Sequence, residues 1–335
     1  METRPDTQNA AYGQIPARSD QIPRRGTTYF QDVCLFHLKF GLPTPSDAAP
    51  DFLDTEAFCF RYGFMQEELA ELIDAYRDND IARAADALAD EIYVALGTAA
   101  FMRIDFDAFW KTNVGHSARS YFEDIKQHVM STLTVPTMPA LDPFCFRLGK
   151  MADGLARFAS VHQTHLHTAG CAGALASIVY NALVLAEEMK LPFNEIWDEV
   201  QGANMKKTRA KKAGDSTRST TLDVIKPKGW MPPNVAGILN KHGAAIPLKI
   251  FRINRHILGA YDLSQAIHLY KMHRSDAIEI SVELSDDERV SNTWHLFGGA
   301  TYAPGKRVRD LIPEIELQAP PFIIAAGGAG FTGTV

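Results

Sequence analysis

Six carboxylates crowd two neighbouring stretches of the chain: Glu67, Glu68 and Glu71 in FMQEELAEL, and Asp86, Asp90 and Glu91 in IARAADALADEIYVAL. Glu68 and Glu71 stand three residues apart and Asp86 and Asp90 four apart, so on helices each pair shares a face. Antiparallel packing of the two faces brings like charges together, which raises their pKa values unless water or a cation intervenes. Hard carboxylate oxygens converging from two helices suit Mg2+ or Mn2+. The plainer alternative is a solvated acidic face, since Glu and Asp are common on exposed helix surfaces.

The elements that must position these acids are legible. Both stretches carry apolar residues at steps of three and four, are rich in Ala and Leu and lack proline, which predicts two helices joined by the turn formers of DNDI. The first helix has an echo: FCFRYGFMQEELAEL from Phe58 reappears as FCFRLGKMADGLARF from Phe144. The second has one too, since ALADEIYVALGTAAFMRIDFDAFW from Ala87 matches ALASIVYNALVLAEEMKLPFNEIW from Ala174 and aligns Tyr93 with Tyr180 and Trp110 with Trp197. TYFQDVCLFH from Thr28 and SYFEDIKQHV from Ser120 lead the two copies. Three matches in one order predict a tandem duplication. The expected fold is an all-α helical bundle of two repeats, 28–118 and 119–240, each half burying its apolar stripe against the other. The acids are not shared. The counterparts of Glu67, Glu68, Glu71, Asp86, Asp90 and Glu91 are Asp153, Gly154, Arg157, Gly173, Ser177 and Ile178. Loss of the charge with retention of the packing positions favours a metal over mere solubility.

The rest of the chain narrows the classes. A formal net charge of -6 with 46% hydrophobic and 22% charged residues is ordinary for a globular protein. Four cysteines, at 34, 59, 145 and 171, are too few for a disulfide framework and read as reduced thiols in a cytoplasmic compartment. Residues 1–27 read as a flexible tail without the apolar run of a secretory signal. No segment is expected to reach the apolar length of a membrane span. NMKKTRAKKAGDSTRSTT is basic but lacks helix-turn-helix or zinc-finger spacing, so duplex DNA is not an expected partner. His162, His165 and His167 near Cys171 offer zinc-ligand types, yet their short irregular spacing reads as a polar loop. Beyond 240, IPLKIFRI, AIEISVELS and PFIIAAGG alternate with the helical DLSQAIHLYKMHR, predicting a small α+β domain over 241–335.

The acidic pattern and its order resemble the all-α nucleoside triphosphate pyrophosphohydrolases of the MazG-like superfamily, which also holds phosphoribosyl-ATP pyrophosphohydrolase. Their pattern is E-E-x-x-E followed by E-x-x-D; Glu67, Glu68, Glu71 and Asp90 match it, while Ala87 stands where the second Glu belongs. The resemblance implies Mg2+- or Mn2+-dependent cleavage of an NTP or dNTP between the α and β phosphates. It makes Glu68, Glu71 and Asp90 the metal ligands, Asp86 the substitute for the missing acid as in phage-type relatives, and Glu67 a further ligand or the base that orients water. Asn-Met-x-Lys and Lys-Pro-x-Gly-Trp elements, which relatives place behind the metal helices, occur here after the second copy, giving Asn204, Lys206, Lys207, Lys226 and Trp230 as nucleotide-binding residues. Trp230 would stack on a base or pack the domain, and His37, in a V-x-x-F-H context found in relatives, would touch substrate. The expected assembly is a monomeric pseudo-dimer or a homodimer, in the cytoplasm, or the host cytoplasm for a phage protein. The rival is a noncatalytic nucleotide-binding or structural derivative of the same fold.

Overall fold

The computed structural model describes residues 26–46, 48–115, 121–127, 129, 133–165, 167–247, 249–254, 256–273, 277–279, 281–284, 294–296, 301–302 and 323–326. Most of the expected tail and the terminal GGAGFTGTV lie outside them. In the first copy every helix begins where the sequence supplies a side-chain acceptor: Thr28 caps α1 (Tyr29–Phe40), Asp54 caps α2 (Thr55–Arg77), Asp80 of the DNDI turn caps α3 (Ile81–Phe101) and Asp105 caps α4 (Phe106–Asn113). The second copy supplies α5 (Tyr121–Lys126), α6 (Leu141–Thr164), α7 (Thr168–Glu188) and α8 (Phe193–Asn204). A two-stranded pair, β1 (Thr208–Arg209) with β2 (Val224–Ile225), and α9 (Val235–Lys241) follow. Every residue of α3 from Glu91 to Phe101 is buried, as expected of a helix surrounded on all sides. One expectation needs correction: among the described residues α7 is long and apolar enough to cross a membrane. In this bundle 72% of that apolar window is buried, the condition of a core helix.

The chain divides into two compact units, residues 1–225 with 233–244, and residues 226–232 with 245–335. The second unit takes in the Lys226–Pro232 segment. It is α+β: β3 (Lys249–Ile253), β4 (His256–Ala260), β5 (Ser281–Glu283), β6 (Trp294–Leu296), β7 (Thr301–Tyr302) and β8 (Ile323–Ala326) form an antiparallel sheet in the order β5-β3-β4-β8-β6-β7. Phe251, Ile253 and Ala260 of the sheet pack with Ala266, Leu269 and Tyr270 of α10 (Leu263–His273). Asn254, at φ 52°, supplies the left-handed residue of the tight β3–β4 turn.

In the helical unit the two halves repeat each other's packing. α2 pairs with α3 and α6 with α7; α1 lies on α3 and α5 on α7; α3 and α7 meet at the centre. The last helix of each half crosses over, α8 onto α3 and α4 onto α7. Trp197 Nε1 of α8 donates to Asp32 Oδ2 of α1 at 2.8 Å, and Trp110 Nε1 of α4 donates to Asp124 Oδ2 of α5 at 3.0 Å. Tyr29 stacks on Trp197 with ring centroids 4.4 Å apart, and Tyr121 stacks on Trp110 at 4.6 Å. The phenols complete the exchange, Tyr29 donating to Asn194 and Tyr121 to Asp107. These partners occupy aligned positions of the two copies, so each half is closed by the other's terminal helix. Replacing Trp197 or Trp110 by Phe removes a donor from a buried carboxylate and is expected to cost about 1–3 kcal/mol in either case. Urea unfolding measures it, and a Trp197→Phe chain as stable as the unmodified one would contradict the exchange as a stabilising contact.

Candidate active site

The acids on α2 and α3 are graded from solvent to core. Glu67 and Glu71 are exposed, Asp86 and Asp90 half-buried, Glu68 is 5% exposed and Glu91 0%. Glu68 Oε2 and both Glu91 carboxylate oxygens are buried without a hydrogen-bond partner. Burial pushes the Glu68 carboxyl up to about 10, and the nearby charges of Asp90, Glu71, Glu91 and Asp86 add to the shift. Five acids therefore gather around one helix pair, and an uncompensated negative charge there is strongly disfavoured. Burial likewise raises Glu91 well above the carboxylate range, with the Arg61 charge opposing it.

The second copy shows what the same helix pair does without acids. A Cβ on Gly154, the counterpart of Glu68, would lie 2.8 Å from Ile178 Cγ1 and 3.1 Å from the Ala174 carbonyl oxygen. Ile178 is the counterpart of Glu91 and Ala174 of Ala87. Where α6 and α7 close on an apolar contact, α2 and α3 carry two carboxylates.

The charge that acts on Glu91 is that of Arg61. Arg61 is buried and donates to Thr98 Oγ1 at 3.1 Å and to the Val94 carbonyl oxygen. Gly97 permits this, because a Cβ there would stand 2.6 Å from Arg61 Nη2. Burial lowers the Arg61 pKa to about 9, with the Arg218 charge second. His37, expected to touch substrate, is 1% exposed, and its Nδ1 sits 2.6 Å from the Pro43 carbonyl oxygen. Burial depresses its pKa to about 3, so the structure places it as a neutral, packed imidazole.

The remaining candidates separate. Asn204, on α8, hydrogen-bonds the Tyr93 side chain, whose phenol is pushed up by burial and then by Asp32 and Asp90; α8 thus brings Asn204 toward the acids of α3. Lys206, exposed, and Lys207, half-buried, follow directly. Glu67 accepts from Arg218 Nε at 2.9 Å, and the same guanidinium lies 3.9 Å from the Phe64 ring centroid. Lys226 and Trp230 belong to the second compact unit, where the lysine ammonium sits 4.6 Å from the indole and the indole is 6% exposed against His268. The histidine cluster forms no ligand set: His162 Nε2 accepts from the Leu53 amide, His167 caps α7, and Cys171 is buried. Sequence reasoning missed Arg61 and Arg218. Arg61 had a signal in its echo at Arg147; Arg218, in a loop, had none.

Carboxylates buried without donors are the right chemistry for a hard cation. Among the described residues, however, no three His, Cys, Asp or Glu side chains already surround one point closely enough to hold a metal ion, so the acids of α2 and α3 would have to rotate together. The raised Glu68 pKa has a direct consequence. From its ordinary value near 4.5 up to about 10, the folded chain keeps a proton that the unfolded chain has lost, so stability falls as pH rises through that window. With a chelator present, Glu68→Gln is expected to melt higher than the unmodified chain at pH near 8 and close to it at pH near 5, by circular dichroism; equal melting at both pH values would contradict the burial of this charge.

The model of the phosphoribosyl-ATP pyrophosphohydrolase family matches residues 33–113, a span that includes Glu67, Glu68, Glu71, Asp86, Asp90 and Glu91. No curated protein and no solved structure gives a match. The first helical copy is therefore similar in sequence to an all-α nucleotide pyrophosphohydrolase domain of the MazG-like superfamily.

Proposed function

We propose that the chain is a divalent-metal-dependent nucleoside triphosphate pyrophosphohydrolase, cleaving an NTP or dNTP between the α and β phosphates to the monophosphate and pyrophosphate. The observation that carries this reading is Glu68, buried among Asp90, Glu71, Glu91 and Asp86 within the segment similar to a pyrophosphohydrolase family. Glu68, Glu71, Asp86 and Asp90 would hold Mg2+ or Mn2+, which supplies neutralisation of phosphate oxygens and a lowered pKa for water. In the reaction the water oxygen bonds to the α phosphorus as the bond from that phosphorus to the bridging oxygen breaks. Pyrophosphate leaves with the electron pair. The water proton passes to Glu71, the exposed carboxylate beside Glu68. Glu67, tied to Arg218, orients rather than accepts. Lys206 and Lys207 serve as point charges for phosphate.

The exchanged terminal helices support an ancestral tandem duplication, with one catalytic centre per chain. The first copy holds the acids and the second delivers α8 with Asn204 and the lysines, an arrangement that suits a monomeric pseudo-dimer. Ala87, which carries no carboxylate, favours the second reading, a noncatalytic nucleotide-binding derivative.

The test is an assay of all canonical NTPs and dNTPs with products resolved. Equal release of monophosphate and pyrophosphate, only with Mg2+ or Mn2+, is expected, and Glu68→Ala should lose more than the roughly 10–100-fold typical of outer-shell partners. Release of inorganic phosphate alone would overturn the cleavage position, and calorimetric nucleotide binding without turnover would establish the noncatalytic reading.

A further inference from the structure

We propose that Glu91 is a ligand of the divalent cation and shares it with Glu68 across the α2–α3 interface. The inference rests on the metal-dependent reading above and adds a residue to it. Glu91 is fully buried, and neither of its carboxylate oxygens has a hydrogen-bond partner. The Arg61 charge acts on Glu91 only at a distance: the guanidinium donates to Thr98 Oγ1 and the Val94 carbonyl oxygen, and no hydrogen bond joins it to Glu91.

Two geometric facts aim Glu91 at Glu68. Side chains on an α-helix lean toward its N-terminus, so the Glu91 carboxylate extends over the turn that begins at Ala87. Ala87 is buried and puts nothing beyond its Cβ into that turn. The second copy then shows what this position faces: Gly154 points at Ile178 and the Ala174 carbonyl, so Glu68, in the corresponding place, points at Glu91 and Ala87. Glu68 Oε2 is likewise buried and unbonded. Oxygens from two facing helices, with no donor for three of them, are answered by a cation with oxygen ligands. Glu91 thus supplies on α3 the carboxylate that Ala87 lacks, one turn later.

The experiment is Mn2+ binding to the full-length chain, by electron paramagnetic resonance or calorimetry, with circular dichroism to follow the fold. Glu91→Gln is expected to weaken Mn2+ binding at least about tenfold with helicity retained. The double variant Ala87→Glu/Glu91→Ala, which moves the carboxylate back one turn, is expected to recover binding to within about tenfold of the unmodified chain. Unchanged binding by Glu91→Gln alongside loss in Glu68→Gln would overturn the role of Glu91 and leave the metal reading standing. Absence of saturable Mn2+ binding by the unmodified chain would overturn both. Should Glu91→Gln fail to fold, the double variant decides: recovery supports the assignment, and a folded double variant without Mn2+ binding overturns it.

Discussion

Two carboxylates facing each other between packed helices, without donors, constitute the constraint on which the helical unit turns. Taking such a charge out of water has an effective penalty of several kcal/mol. At neutral pH the α2–α3 pair can stay closed only with protons on those groups or with a countercharge among them. The α6–α7 pair solves the same packing problem with Gly154 against Ile178 and carries no such penalty. One scaffold therefore holds both solutions. The two helix pairs thus differ in charge where they agree in packing, and this contrast is what the proposed metal site rests on.

The exchange of terminal helices explains how the burden is tolerated. α3 is covered by α1 and α2 of its own copy, by α7 at the centre, and by α8 from the second copy. Trp197, Gln201 and Asn204 of α8 lock onto Asp32 and Tyr93, and this ties α3 to the second half. The acid-bearing helix is thereby clamped by elements of both halves. The second half carries Gly154, Ser177 and Ile178 where the first has Glu68, Asp90 and Glu91, and still supplies α8 to α3.

Much of this was legible in the residues. Periodicity and Ala/Leu content marked α2 and α3, and Asp80 in DNDI marked the cap between them. The echoes gave the correspondence of the halves, but no echo says that Trp197 bonds Asp32 rather than Asp124; exchange is a tertiary fact invisible to alignment. Glu91 was visible as an acid and not as a ligand, because a run buried from 91 to 101 reads as core and one Glu at its edge as frayed periodicity. His37 misled in the opposite sense, since a histidine type carries no mark of burial. The C-terminal sheet was read from its Ile- and Val-rich strands β3, β5 and β8, while β6 and β7, of three and two residues, are too short for any period to show.

The most direct test of the central claim is crystallographic: anomalous diffraction at the manganese edge from crystals grown with Mn2+. The account predicts density between α2 and α3, within bonding reach of Glu68, and none between α6 and α7. Saturated crystals with no peak at Glu68, or with manganese bound only elsewhere, would contradict it.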